Sequence, residues 1–332
     1  MKIFDQQKQP AASPFMRIVH GLDGLDEIST PTVLTLGVFD GLHLGHQSIM
    51  KILAQRSADL QCVPTVITFD PHPRAVLHPE TAPPLLQTLQ QRIEGMGILG
   101  IEQVVIVKFT PEFSTITARE FIQTQIWEKC RALEVYLGKG FAFGRGREGR
   151  IDLLRQMAGE SGFVAAEAEE VLLRNRRISS TMIRRLIRAG RVNLARRMLG
   201  RPYGIEGEVI EGRKLGRTLS FPTANLNIVN RVIPADGVYV TASLIDGVWR
   251  QSVTNIGVRP TVGGLDRVVE THILNFEGDL YGRNLRTRFL HRLRDEKRFT
   301  GLDELRTQIN RDANRTRAYF QHIGVQRSLA VL

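Results

Sequence analysis

One change of period, near Gly200, constrains this chain more than any other feature. Before it, short apolar and β-branched runs alternate with helical patterns. Thr32–Leu36 reads as a strand and a helical pattern follows from Gly45. Val63–Phe69 reads as a strand, Leu86–Leu99 as a helix, Val104–Val107 as a strand and Ala118–Trp127 as a helix. Leu133–Leu137 is strand-like, Ile151–Met157 helical and Gly162–Ala166 strand-like. Strands separated by helices require right-handed crossovers, which predicts an α/β fold with a doubly wound, mostly parallel sheet.

After Thr181 the pattern changes. Met182, Ile183, Leu186 and Ile187 share one face of an amphipathic helix that Gly190 is placed to end. Asn193 is placed to cap a second short helix ending near Gly200. Gly204–Ile210, Gly237–Leu244, Gln251–Ile256, Val268–Leu274 and Leu285–Leu290 are then short β-like runs punctuated by Gly, Asp and Asn. That spacing predicts a small antiparallel β-barrel, and a final helix is expected over Leu302–His322. The expected organisation is an N-terminal extension over 1–29, a doubly wound domain over 30–200 and a barrel domain over 201–325.

The chain's 332 residues suffice for two cores. No apolar run approaches the roughly 20 residues that a membrane helix needs, and the polar residues 1–15 do not read as a secretory leader. Cys62 and Cys130 sit in no metal or redox spacing, as in a reduced, cytoplasmic protein. The formal net charge is +11, and ten arginines with no acidic residue fall between Arg174 and Arg201. A solvated basic helix face explains such a cluster, and so does a surface that attracts polyanions, whether ATP or nucleic acid.

Two constellations carry chemistry. In the first, Gly37-Val38-Phe39-Asp40-Gly41-Leu42-His43-Leu44-Gly45-His46 leaves the first strand and opens the first helix. Gly37, Gly41 and Gly45 allow close backbone approach to a phosphate, and the helix N-terminus offers free N–H groups and partial positive charge. His43 and His46, three apart, can face one bound group and donate to the oxygens of an α-phosphate under attack, a reaction governed by positioning and charge. Metal ligation is the competing use, and no third ligand lies close in sequence. Thr68-Phe69-Asp70-Pro71-His72-Pro73 closes the second strand at the same sheet edge. Ser179, Ser180 and Thr181 open the amphipathic helix with Arg184 one turn in, a set that caps a helix or holds a phosphate.

In the second constellation, Gly212, Lys214 and Gly216 belong to a glycine-bracketed basic loop, followed by Phe221-Pro222-Thr223-Ala224-Asn225. Thr223 and Asn225, two apart on an extended segment, point to one side and offer hard oxygen ligands to Mg²⁺ carried by ATP. The Lys-Ser/Thr pair of a Walker loop is missing. Glu270 is a candidate general base for a primary alcohol attacking ATP.

GVFDGLHLGH, TFDPHP, GFAFGRG and ISSTMIR, in that order, resemble the adenylyltransferase half of the prokaryotic bifunctional riboflavin kinase/FAD synthetase family. GRKLGR, FPTAN, NIGVRPT, VETH, DLYG and LRDEKRF resemble its kinase half. The resemblance runs from about Thr32 to the C-terminal helix. It implies a Rossmann-like nucleotidyltransferase domain followed by a β-barrel riboflavin kinase domain with a C-terminal helix. It implies ATP and phosphate binding by Gly37, Phe39, Asp40, Gly41, Gly45, His43, His46, Ser179, Ser180, Thr181 and Arg184, and by Gly212, Lys214 and Gly216. It implies flavin contacts at Asp70, Pro71, Phe143 and Arg294, Mg²⁺·ATP at Thr223 and Asn225, and proton abstraction by Glu270. Riboflavin, FMN and ATP are then the expected partners, with neither membrane nor nucleic acid among them.

One position departs from the family pattern. Gly140 stands where G-x-D/N-F-x-F-G has Asp or Asn. A monofunctional riboflavin kinase with a degenerate adenylyltransferase domain is therefore an alternative reading, and a basic nucleic-acid-binding protein is another.

Overall fold

The computed structural model describes residues 16–21, 24, 30–211, 221–261, 264–297 and 299–323. They form two compact units. The first comprises described residues up to Pro84 together with Leu89–Ser179; the second comprises Leu85–Thr88 and the chain from Ser180 onward.

The first unit is built on six parallel strands: β1 (Arg17–His20), β2 (Thr32–Leu36), β3 (Val63–Phe69), β4 (Gln103–Val107), β5 (Ala132–Gly138) and β6 (Val164–Ala168). Their order is β1-β4-β3-β2-β5-β6. Residues of β2 and β4 are buried throughout, and β3 is buried from Pro64 on, as central parallel strands covered on both faces must be. The helices are α1 (Leu44–Leu60), α2 (Pro73–Leu77), α3 (Leu89–Ile98), α4 (Ala118–Glu120) and α5 (Ile151–Ser161). After β2 the chain adds β3 and β4 on one side, then crosses to add β5 and β6 on the other. The switch point therefore lies at the carboxyl end of β2, where open α/β sheets bind ligands.

The second unit opens with α6 (Ser180–Arg188) and α7 (Val192–Leu199). A closed antiparallel barrel follows, formed by β9 (Tyr203–Ile210), β10 (Ala224–Ile228), β11 (Gly237–Ile245), β12 (Val248–Thr261), β13 (Gly264–Ile273) and β14 (Asn284–Arg294). Two residue pairs, Leu172–Leu173 (β7) and Arg176–Arg177 (β8), form a small hairpin in the first unit. Helix α8 (Leu302–Ile323) covers one barrel face, where Phe320 packs on Val240, Ala242 and Leu290. The alternate residues carry hydroxyls. Thr287, Ser243, Ser252, Thr241, Thr254 and Thr271 are fully buried and hydrogen-bond in series at 2.8–3.1 Å. Each buried polar atom thus finds its partner in the next strand.

Several sequence expectations shift. The helix expected over Leu86–Leu99 begins at Leu89. Leu86 is fully buried in the barrel unit, and its carbonyl accepts hydrogen bonds from the Tyr203 hydroxyl (3.1 Å) and Asn230 Nδ2 (3.3 Å). Asn193 is not a cap: Arg191 occupies that position, because the Leu194 and Ala195 N–H groups already donate to its carbonyl. The strand expected from Gly162 starts at Val164, since Gly162, at φ +85°, terminates α5 with its N–H on the Ala158 carbonyl (2.8 Å). The helix expected over Ala118–Trp127 turns π-wound at Phe121 and runs so to Lys129. Strands β1 and β10 were not expected. Cys130 is fully buried, which pushes its thiol up to about 12, and Cys62 is also raised by burial.

Candidate active sites

The first site grows from the loop after β2. His43 caps α1, with Nδ1 accepting from the His46 N–H at 3.4 Å. With Nδ1 accepting, a neutral His43 carries its proton on Nε2. The two imidazoles stack with centroids 3.6 Å apart and 20° between planes, and Phe39 meets His46 edge-on at 5.2 Å. Phe39 and Leu42 hold left-handed backbone at φ +52° and +42°, and Gly41 lies at +86°. The other two glycines make room for side chains of the same loop. A Cβ on Gly37 would lie 3.1 Å from the Phe39 ring, and one on Gly45 would lie 3.2 Å from the His43 ring.

Beneath this loop lies a residue that the sequence reading passed over. Arg92, on α3, is fully buried. Its Nη1 donates to the Val38 carbonyl (2.8 Å) and to Thr68 Oγ1 (3.3 Å), and its Nη2 reaches Asp70 Oδ1 (3.4 Å). Burial lowers the guanidinium's pKa, against the opposing pull of Asp40 and Asp70. In sequence Arg92 sits in QQRIE and looks like any helix-surface arginine.

Asp70 and Pro71 are joined by a cis peptide at the end of β3. Phe143 is buried at 7% exposure, 5.9 Å from Phe121 and 6.4 Å from Phe141. This aromatic chain continues through Phe113 and Phe109 to Phe69. Gly140 has φ +70°, its N–H donates to Glu167 Oε1 (2.9 Å), and a Cβ there would meet nothing within 4 Å. Ser179 ends the first unit; Ser180 and Thr181 open α6, and Arg184, one turn in, is buried.

The second site lies on the barrel. Asn225 of β10 is paired in register with Glu270 of β13. Thr223, Asn225, Glu270, His272 and Arg294 all line one cavity of about 370 Å³, as do Leu305, Ile309 and Asp312 of α8. Cross-strand neighbours on one face stand about 5 Å apart at Cβ, so the carboxylate, the amide and the hydroxyl converge. Thr223 also lines a second cavity of about 140 Å³, with Asp279, Leu280 and Tyr281. Asp279 Oδ1 accepts the Tyr281 N–H at 3.0 Å and so shapes that turn. Arg294 is held by the buried Asp312, Nε and Nη2 lying 3.0 and 2.9 Å from Oδ2. Gly212, Lys214 and Gly216 lie outside the described residues.

His272 also escaped the sequence reading as a working residue. Its Nδ1 is 2.8 Å from the Pro222 carbonyl, immediately before Thr223, and Phe221 packs edge-on against its ring. Burial lowers its pKa, the Pro222 carbonyl opposes this, and Arg317 adds to it. A carbonyl only accepts, so Nδ1 carries the proton and donates to Pro222.

Similarity to known proteins spans both units. Residues 25–182 match the family model for FAD synthetase, and residues 199–320 match that for riboflavin kinase. A bifunctional riboflavin kinase/FMN adenylyltransferase of Pseudomonas fluorescens is 39% identical over 304 residues, 91% of this chain and 97% of the relative. The protein of that description from Escherichia coli K12 is 35% identical, covering 92% and 98%. A crystal structure of a Streptococcus pneumoniae protein described as a macrolide-efflux protein superposes with TM-score 0.83 at 29% identity, covering 91% and 99%. Among the described residues no helix is long and apolar enough to cross a membrane.

Proposed function

The chain belongs to the bifunctional riboflavin kinase/FMN adenylyltransferase family, and from that membership we propose how its residues divide two reactions. It phosphorylates riboflavin with ATP to FMN, then adenylylates FMN to FAD with release of pyrophosphate. We assign the adenylyltransferase domain to 30–200 and the kinase domain to 201–325, behind an N-terminal extension over 1–29, whereas compactness groups Leu85–Thr88 and Ser180–Leu199 with the barrel.

In the kinase reaction the ribityl end of riboflavin occupies the larger barrel cavity and the nucleotide the smaller, with Thr223 between them. Glu270 accepts the proton of the primary hydroxyl as its oxygen attacks the γ-phosphorus, and ADP leaves. Thr223 and Asn225, with neutral oxygens that suit a hard cation, hold the Mg²⁺ that arrives with ATP. When bound, that ion neutralises charge on the transferring phosphoryl group. Arg294, aimed by Asp312, contacts the flavin or its new phosphate. Gly212, Lys214 and Gly216 attend the ATP phosphates. The observation that carries this assignment is the register of Asn225 against Glu270 on the wall of the larger cavity.

In the adenylyl transfer an FMN phosphate oxygen attacks the α-phosphorus of ATP, and pyrophosphate leaves. His43 donates from Nε2 to an α-phosphate oxygen, and His46, stacked on it, faces the same group. The backbone of Gly37, Phe39, Asp40, Gly41 and Gly45 approaches the phosphates. The family resemblance also assigns phosphate binding to Ser179, Ser180, Thr181 and Arg184, and flavin contacts to Asp70, Pro71 and Phe143. The protein works in the cytoplasm, and its basic surface serves ATP.

The deciding experiment follows both products by chromatography. Glu270→Ala should lower FMN formation by about 10²- to 10⁴-fold, as loss of a general base does, while FAD still forms from supplied FMN. His46→Ala should do the reverse. Loss of both activities in either folded variant overturns the two-site assignment.

A further inference from the structure

We propose that Arg92 and Gln47 are positioning residues of the adenylyl-transfer site, holding the phosphate-binding loop in its working conformation from below. The inference rests on the reading of that loop given above. Two non-glycine residues of the loop, Phe39 and Leu42, adopt left-handed backbone. Such conformations persist only where surrounding structure over-determines them. Each has a buried clamp next to it. Arg92 Nη1 donates to the carbonyl of Val38, the residue before Phe39, at 2.8 Å. Gln47 Nε2 donates to the carbonyl of Leu42 itself at 2.8 Å.

A trans peptide points its C=O and N–H in opposite directions. Pinning the Val38 carbonyl toward α3 therefore turns the Phe39 N–H the other way. The same guanidinium reaches Thr68 and Asp70 at the end of β3, so one planar fork sets the spacing between the two motif-bearing strand ends. Helix α3 comes close enough to do this because Gly95 faces Leu42, where a Cβ would lie 2.4 Å from Leu42 Cδ1. Arg92 is fully buried in the described residues and therefore acts through the loop.

The full-length protein supplies its own control, since the kinase reaction runs on another unit. With FMN, ATP and Mg²⁺, Arg92→Met should lower kcat for FAD formation by about a hundredfold, the scale of small misplacements in a reacting site. FMN formation from riboflavin should be unchanged. Arg92→Lys should recover part of the loss. Guanidinium chloride at low, non-denaturing concentration should restore Arg92→Ala where equal NaCl does not, a response that a purely structural defect would not give. Uncharged Gln47→Met should lower kcat by about tenfold, roughly the effect of releasing one strained residue. FAD formation undiminished in both the Met variants, or an equal fall in the two activities, overturns the proposal; so does failure of guanidinium to restore. If the unmodified protein forms no FAD at all, the reading of this unit fails instead.

Discussion

At the scale of single residues, backbone conformation explains the departure at position 140. Gly140 lies at φ +70° with open space where a side chain would project. Asn and Asp are the non-glycine residues that best tolerate such a backbone, so glycine there keeps the loop and removes only a polar group. Gly140→Asn should leave the melting temperature nearly unchanged and raise kcat/KM for FAD formation by up to about tenfold, the worth of one good hydrogen bond; thermal melts and the product assay check this. His272 presents the complementary case. Asn places its Nδ2–H near where His272 holds Nδ1–H, and Gln does not. His272→Ala should raise the kinase KM for ATP by about tenfold, since the turn carrying Thr223 loses a buried hydrogen bond. His272→Asn should recover most of that and His272→Gln little, with FAD formation from FMN unaffected in all three.

At the scale of elements, the proposal for α3 is that a helix serves a site without touching a substrate. A glycine inside a helix costs about 1 kcal/mol relative to alanine, yet Gly95 lets α3 lie against the fully buried Leu42. Gly95→Ala gains helix propensity and drives a methyl into Leu42. The expected outcome is a loss of FAD-forming kcat with no change in FMN formation, read by steady-state kinetics of the two reactions. The barrel strands divide their labour by alternation. Even positions of β13, Glu270 and His272, face the cavity beneath α8, while Thr271 joins the buried hydroxyl chain. A one-residue slip would exchange cavity-facing groups for core hydroxyls, and the six paired hydroxyls resist it because each would lose its partner.

At the scale of the whole molecule, chelation separates chemistry from fold. Among the described residues no group of three or more His, Cys, Asp or Glu side chains could hold a metal ion. On the proposed reading, in which Mg²⁺ arrives with ATP, EDTA should stop FMN formation and leave the melting curve unchanged; a large fall in melting temperature would mean that a metal supports the fold. Much of the architecture was legible beforehand. Alternating strand and helix patterns determined the doubly wound unit, and punctuated short runs determined the barrel, because periodicity reports directly which face of an element is buried. The residue types of GVFDGLHLGH, PTAN and VETH pointed to the proposed chemistry in the same local way. Strand β1, of four residues, exists through its pairing with β4, and β10, with polar Asn225 and Asn227, through its neighbours β9 and β13. Nothing in the pattern of β1 marks it, and β10 shows only as the extended segment around Asn225. Tertiary structure alone decided that Asn225 would face Glu270, that His272 would hold the turn before Thr223, and that Arg92 would lie buried under the loop. Register and desolvation are properties of distant partners brought together, and no local pattern distinguishes a clamping arginine from a solvated one.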